Sequence, residues 1–244
     1  MKLFIAGDSI MAQYTIRHYP MTGIGMVLGL FLKPEVRIEN YALPGRSTKS
    51  YYTQGIPNLI EQEITEGDYL LICFGHNDEK AFDDYLYTEP FGAYQENLRK
   101  LINLARNAGA TPILVTSLER RSFMDATDVW KDPSISAETA YTLRPSAHTE
   151  YAQAMKQLAE QENVALIDLL AMSRKALEQA GPVGSAKWYM NLAPGEHAAY
   201  PNGVLDNTHL NYAGAVNFAG LIAEGLKKLG APYTDLLLDN DSQQ

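Results

Sequence analysis

Five short apolar runs, separated by helix-like stretches and each followed by turn or polar residues, constrain this chain more than any other feature. Leu3 to Ala6 ends at Gly7, Val36 to Ala42 is the second run, and Tyr69-Leu70-Leu71-Ile72-Cys73-Phe74 ends at Gly75. Pro112 to Thr116 and Val164 to Asp168 complete the set. Short apolar runs alternating with amphipathic segments read as parallel βαβ units. A run that is apolar at every position, as in 69–74, suits a central strand covered on both faces. The segments between them have helical spacing. Phe91, Tyr94, Leu98, Leu101, Ile102 and Ala105 form one face stopped at Gly109, and Tyr151, Met155 and Leu158 form another. A closing helix is predicted from Asn211 to Leu229, with Gly230 as its stop. The expectation is an α/β fold with a five-stranded parallel sheet, one domain over residues 1–238 and a polar tail at 239–244. Residues 123–145 and 181–205 read as long irregular insertions, which are often functional.

Charge and composition narrow the function. The chain has 244 residues, 20 basic and 29 acidic, for a net charge of −9. That balance argues against a general nucleic-acid binder, whose affinity comes from clustered Lys and Arg. The single Cys73 cannot form an internal disulfide, and no Cys/His spacing suggests a zinc site. Met1 to Gly7 resembles the start of a signal peptide until Asp8 interrupts it. Thr22 to Leu32 is apolar-rich but ends at Lys33-Pro34, short of the ~18 apolar residues of a spanning helix. The expectation is therefore a cytoplasmic protein that does not engage membranes.

Sites on open parallel sheets form beyond the carboxyl ends of the strands. Four polar constellations follow there. Gly7-Asp8-Ser9 can present a hydroxyl at a tight strand-to-helix turn; equally, Asp or Ser can cap the next helix. Asn40 to Ser47 contains Pro44-Gly45, either a plain turn or a backbone N–H left open to a ligand. Gly75-His76-Asn77-Asp78 offers the Asn77 amide as a donor, or a loop side chain bonded to its own backbone. Asp206-Asn207-Thr208-His209 places a carboxylate three residues before an imidazole, able to orient and stabilise it on one turn, or simply to cap the closing helix. Together they supply a nucleophile, a base, an orienting carboxylate and oxyanion donors for acyl transfer. No Gly-x-Ser-x-Gly elbow is present, which argues against the ordinary α/β-hydrolase fold.

At these residues the sequence resembles the SGNH (GDSL) hydrolase superfamily, whose four blocks match Gly7-Asp8-Ser9, Gly45, Gly75-x-Asn77-Asp78 and Asp206-x-x-His209. Ile10 stands where the commonest first block has Leu. A narrower resemblance, to rhamnogalacturonan acetylesterases (the twelfth family of carbohydrate esterases), runs through residues 40–47, 74–78, 119–123, 192–196 and 206–209. It implies a flavodoxin-like three-layer α/β/α sandwich and removal of O-acetyl groups from pectic sugars. It further implies Ser9 as nucleophile, Asp206 and His209 as its partners, and the Ser9 N–H, Gly45 N–H and Asn77 amide as the oxyanion hole, with no metal or cofactor. An acetylated oligosaccharide is the implied partner; the oligomeric state, acetyl position and sugar length stay open.

Other residues are candidates for binding substrate. His76, beside Asn77, reads as a pocket-lining residue and is the rival to His209 as base. Arg46, Arg120 and Arg121 follow strands and could pair with a galacturonate carboxylate, or with internal acids. His18, His148 and His197 read as surface or loop residues. Tyr51, Tyr52, Trp130, Tyr141, Trp188, Tyr189 and Tyr200 could stack on sugars or serve as packing, and sequence does not choose among them. Two other readings remain: a deacylase, thioesterase or lysophospholipase for lipid-like acyl esters, and a non-catalytic sugar-binding module.

Overall fold

In the computed structural model, residues 1–124 and 143–239 are described. Most of the long loop predicted at 123–145, with Trp130 and Tyr141, and residues 240–244 of the tail lie outside the described residues. Five strands form one parallel sheet in the order β2-β1-β3-β4-β5: β1 (Lys2–Gly7), β2 (Arg37–Asn40), β3 (Tyr69–Cys73), β4 (Thr111–Val115) and β5 (Ala165–Ile167). This is the flavodoxin-like order, with the chain reversing direction of travel between β1 and β3.

Strand periodicity builds the three layers. Leu3, Ile5, Leu71, Cys73, Ile113 and Val115 face one side of the sheet. There they pack with Ile24 of α1 (Ile24–Val27) and with Phe218, Ala219, Ile222 and Leu226 of the closing helix (Tyr212–Leu229). Their sequence neighbours Phe4, Ala6, Leu70, Ile72 and Leu114 face the other side. On that face lie Tyr51 of α2 (Thr48–Thr53), Ile60 of α3 (Ile56–Glu61), Leu98, Leu101 and Ile102 of α4 (Gln95–Asn107), and Met155 and Leu158 of α5 (His148–Glu162). Both faces of the central strands are covered, which is why their sequences are apolar throughout rather than alternating. The apolar start of the chain is thus a core strand, with Leu3 through Ala6 fully buried.

Three expectations are corrected here. No helix starts at Ser9: the carbonyls of Ile10 and Met11 are taken by the Ile24 N–H and the Asn40 side chain, so the turn after β1 cannot propagate. Phe91 is 44% exposed rather than buried, because it precedes α4 in a π-helical turn over Pro90–Tyr94. Residues 181–205 are not irregular throughout. They complete α6 (Leu169–Gly184), then enter β6 (Tyr189–Leu192), which pairs antiparallel with β7 (Val204–Leu210) ahead of α7 (Tyr212–Leu229). Among the described residues no helix is long and apolar enough to cross a membrane.

Candidate active site

The four constellations meet at the carboxyl edge of β1 and β3, beyond the switch point of the sheet. Ser9 follows β1 in a turn whose carbonyl accepts the Tyr14 hydroxyl at 3.0 Å. Asp8 is buried, and its Oδ1 accepts the Ile10 N–H at 3.0 Å. Burial pushes the Asp8 carboxyl up to about 6, against the pull of that N–H and of His209.

Asp206 and His209 are brought together by a break in a ladder, not by a helix turn. Tyr189 and Met190 are consecutive on β6, yet they pair with Leu210 and Asp206 on β7, so residues 207–209 are extruded between the two pairs. Asp206 Oδ1 accepts the N–H groups of Thr208 and His209 at 2.8 and 3.0 Å, while Oδ2 lies 2.7 Å from His209 Nδ1. The opposite ring nitrogen, Nε2, lies 3.1 Å from Ser9 Oγ. Burial alone would raise the Asp206 carboxyl, but the His209 side chain and the two N–H groups outweigh it and hold it near 2. The alternative of Asp206 as a helix cap is overturned: Asn211 caps α7 by accepting the Gly214 N–H.

The second and third loops are pinned to each other and to β1. The Leu43 N–H donates to the Gly7 carbonyl at 3.0 Å, and Gly45 follows with φ +73°, where a side chain would meet only open space. Gly75 adopts φ +150°, and a β-carbon there would lie 2.2 Å from Ser117 Oγ, so only glycine lets the chain turn against β4. Asn77 Nδ2 donates to the Arg46 carbonyl at 3.0 Å, and its Oδ1 accepts from Lys80 Nζ at 2.7 Å. The fully buried Asp78 accepts the Thr48 N–H, the Thr48 hydroxyl and the Thr88 hydroxyl, tying the start of α2 to the loop after β3.

Burial pushes Asp78 up to about 7 despite those donors. A carboxyl raised in the folded state contributes stability that is fully present below its unfolded value, near 3.8, and is lost as pH rises through about 7. Asp78→Asn mimics the protonated acid and keeps an acceptor for the three donors. Relative to this variant, the wild type is expected to lose roughly 4 kcal/mol of unfolding free energy between about pH 4 and about pH 8. Urea titrations across that range check this; parallel pH profiles for the two proteins would refute it.

Ser9, Pro44, Gly45, His76, Asn77, Lys80, Arg120, Asp206, Thr208 and His209 line one cavity of about 560 Å³. His76 is buried and neutral, its value driven well below the ordinary one by burial, then by His148 and Arg120. Its Nε2 donates to the Leu118 carbonyl at 2.7 Å, so that nitrogen carries a proton and cannot take one. Of the three arginines, Arg120 alone is among the lining residues, and it also pairs with the buried Glu79. Arg121, its neighbour, points to the opposite side and ties Ser185, Asn207 Oδ1 and the Pro182 carbonyl together. The Arg46 side chain is directed to Gln54, at 2.7 Å.

His148 is corrected from a surface to a fully buried residue, its ring tilted against that of His76 at 4.2 Å between centroids and set against Glu79. Tyr51 and Tyr189, considered for stacking, are fully buried packing residues. Lys80 was missed by sequence reasoning, its one signal being a spacing of three residues from Asn77 in a turn, while Pro44 and Thr208 stood inside two of the four constellations with no role assigned. Among the described residues no group of three or more His, Cys, Asp or Glu could hold a metal ion.

The geometry agrees with what the chain resembles across its length. It is 37% identical over 244 residues to rhamnogalacturonan acetylesterase RhgT of Bacillus subtilis, covering all of this chain and 97% of that protein. The crystal structure of protein YxiM of Bacillus subtilis superposes with a TM-score of 0.75 at 24% identity, over 95% of this chain and 57% of that one. Axe2, an acetylxylan esterase from Geobacillus stearothermophilus, superposes with a TM-score of 0.58 at 18% identity, over 95% of each chain. The model of the GDSL-like lipase/acylhydrolase family matches residues 5–216, so the chain belongs to that family and is a carboxylic ester hydrolase.

Proposed function

We propose that this protein is a serine esterase that removes O-acetyl groups from carbohydrates, acetylated rhamnogalacturonan oligosaccharides in particular, through an acetyl-enzyme on Ser9. The observation that carries the reading is the line of contacts from Asp206 Oδ2 through His209 to Ser9 Oγ, at 2.7 and 3.1 Å, opening on a cavity that also presents Gly45 and Asn77. His209 Nε2 takes the Ser9 proton as Oγ attacks the acetyl carbonyl carbon. The carbonyl oxygen becomes an alkoxide facing the N–H groups of Ser9, Gly45 and Asn77. The sugar oxygen leaves with the proton from His209. Water then attacks the acetyl-serine, gives its proton to His209, and acetate departs as Ser9 recovers its hydrogen.

Several features favour a sugar acetate over a long acyl chain. The lining carries His76, Asn77, Lys80, Arg120, Asp206, Thr208 and His209, and of its residues Pro44 alone has an apolar side chain to offer a lipid tail. Of the three arginines we assign Arg120 to a uronate carboxylate next to an acetylated position, because it lines the cavity even while paired with Glu79, whereas the Arg46 and Arg121 side chains reach Gln54 and Asn207. The name of the Bacillus relative, at 37% identity over the full chain, supports the rhamnogalacturonan substrate. The test is acetate release from acetylated pectic, xylan and chitin oligosaccharides, with nitrophenyl esters of increasing chain length beside them. Release is expected to be fastest from pectic oligosaccharides, with nitrophenyl ester turnover falling at least ~10-fold from acetyl to octanoyl. Turnover that rises with chain length would replace this reading with the lipid deacylase.

A further inference from the structure

The Asn77 amide is held at both ends. Nδ2 donates one hydrogen to the Arg46 carbonyl at 3.0 Å, and Oδ1 accepts from Lys80 Nζ at 2.7 Å. The local fold explains the second contact. The Glu79 N–H donates to the Gly75 carbonyl and the Lys80 N–H to the Asn77 carbonyl, both at 3.3 Å, so the turn carries Lys80 back over Asn77. Glu79, its neighbour, faces away into the pair with Arg120. Lys80 and Asn77 line the same cavity as Ser9 and Gly45. An amide has two N–H donors; the Arg46 carbonyl occupies one and leaves the other for the cavity.

We infer that Lys80 is a positioning residue for the oxyanion hole: its ammonium fixes which end of the Asn77 amide faces the cavity and polarises that amide toward donation. The inference rests on the acetyl-transfer reading above. A flipped amide would aim its carbonyl oxygen at the developing alkoxide, which is repulsive. With Oδ1 bound to a cation, the flip would set –NH₂ against –NH₃⁺, so the productive orientation is locked before substrate arrives. Charge-assisted hydrogen bonds are about twice as strong as neutral ones. Drawing electron density toward Oδ1 leaves the remaining N–H more positive, and bonds in such a chain strengthen one another. The benefit grows as negative charge develops on the carbonyl oxygen, so it lowers the barrier more than it aids substrate binding.

The test uses p-nitrophenyl acetate, a neutral substrate with no carboxylate for Lys80 to bind, with Lys80→Met, Lys80→Arg, Asn77→Ala and the Lys80→Met/Asn77→Ala double variant. Lys80→Met is expected to lower kcat by ~10- to 100-fold with KM within about twofold of wild type, less than the ~100-fold or more for Asn77→Ala. Lys80→Arg should restore most of kcat. In the Asn77→Ala background, Lys80→Met should cost less than about twofold further, because the group it acts through is gone. Lys80→Gln, neutral but still able to donate to Oδ1, should fall between Met and Arg. The inference is overturned if Lys80→Met turns over at the wild-type rate, or if its full loss persists in the Asn77→Ala background, which would place Lys80 directly on the substrate. Wild-type turnover by Asn77→Ala would instead remove the oxyanion role of Asn77, and the role of Lys80 with it.

Discussion

Ser9→Ala is expected to lower kcat for acetate release by on the order of 10⁴-fold or more, leaving only what binding and the oxyanion donors achieve without a nucleophile. Ser9 is 7% exposed, at the end of a central strand, and its Oγ faces His209 Nε2 at 3.1 Å. Removing one oxygen leaves the backbone turn intact, since Asp8 Oδ1 and the Tyr14 hydroxyl bind main-chain atoms of this turn and not the serine side chain. The His209 side chain is 30% exposed, so water can replace the lost partner, and the melting temperature should stay within a few degrees of wild type. A serine-reactive phosphonate should label the wild type stoichiometrically and the variant not at all. Activity within tenfold of wild type in a folded Ser9→Ala protein would remove Ser9 from the reaction. Acetate release measured beside thermal melts separates a chemical loss from an unfolded one.

How much of this was legible in the sequence depends on how local each signal was. The parallel sheet was legible because burial on both faces makes β3 apolar at every position, a pattern that solvent-facing strands cannot produce. The short β6–β7 pair was not. Its strands carry Asn191, Asp206, Asn207 and Thr208, polar residues that mimic a loop, and its register is set by pairing across the sequence. Ser9, Gly45 and Asn77 were legible together because the ends of β1, β2 and β3 converge at one edge of the sheet, whereas Asp206 and His209 joined them as a carboxylate–imidazole pair just before the closing helix and through the family resemblance. The reason Asp206 meets His209 was not, since it lies in residues extruded from a ladder. Arg120 and Arg121 look equivalent in sequence, but the chain turns at Arg121, where the Ser122 N–H bonds back to the Arg120 carbonyl, and one side chain lines the cavity while the other reaches Asn207 and Ser185. His148 read as a surface residue because a polar side chain at the start of a helix usually is one. Its burial goes with the tilted ring contact to His76, 72 residues distant in the chain, which no local pattern records.

Asp206→Asn is expected to lower kcat on the order of 10⁴-fold near neutral pH while leaving the fold and KM nearly unchanged. The substitution keeps size and shape, and the amide oxygen can still accept the Thr208 and His209 N–H groups that Asp206 Oδ1 accepts at 2.8 and 3.0 Å. The amide nitrogen then faces His209 Nδ1. It can only donate there, so Nδ1 must become the acceptor and Nε2 must carry the proton. A protonated Nε2 cannot take the Ser9 proton, and no negative charge remains to stabilise the imidazolium as Oγ attacks. In the wild type, burial opposes the Asp206 charge but the hydrogen bonds from His209 and Thr208 prevail and hold the carboxyl near 2. Because its folded-state value is depressed, the stability it contributes is present above about 3.8 and lost as pH falls through about 2. The orienting charge therefore persists across the whole working range. An acidic loss of activity above about pH 4 must then come from another group, and no limb assigned to Asp206 should appear there. Asp206→Asn should have low activity throughout and lack the wild type's gain in stability on going from pH 2 to pH 4. Nitrophenyl acetate turnover and urea melts at matched pH test both halves. Asp206→Asn activity within tenfold of wild type would mean that His209 needs no carboxylate to work.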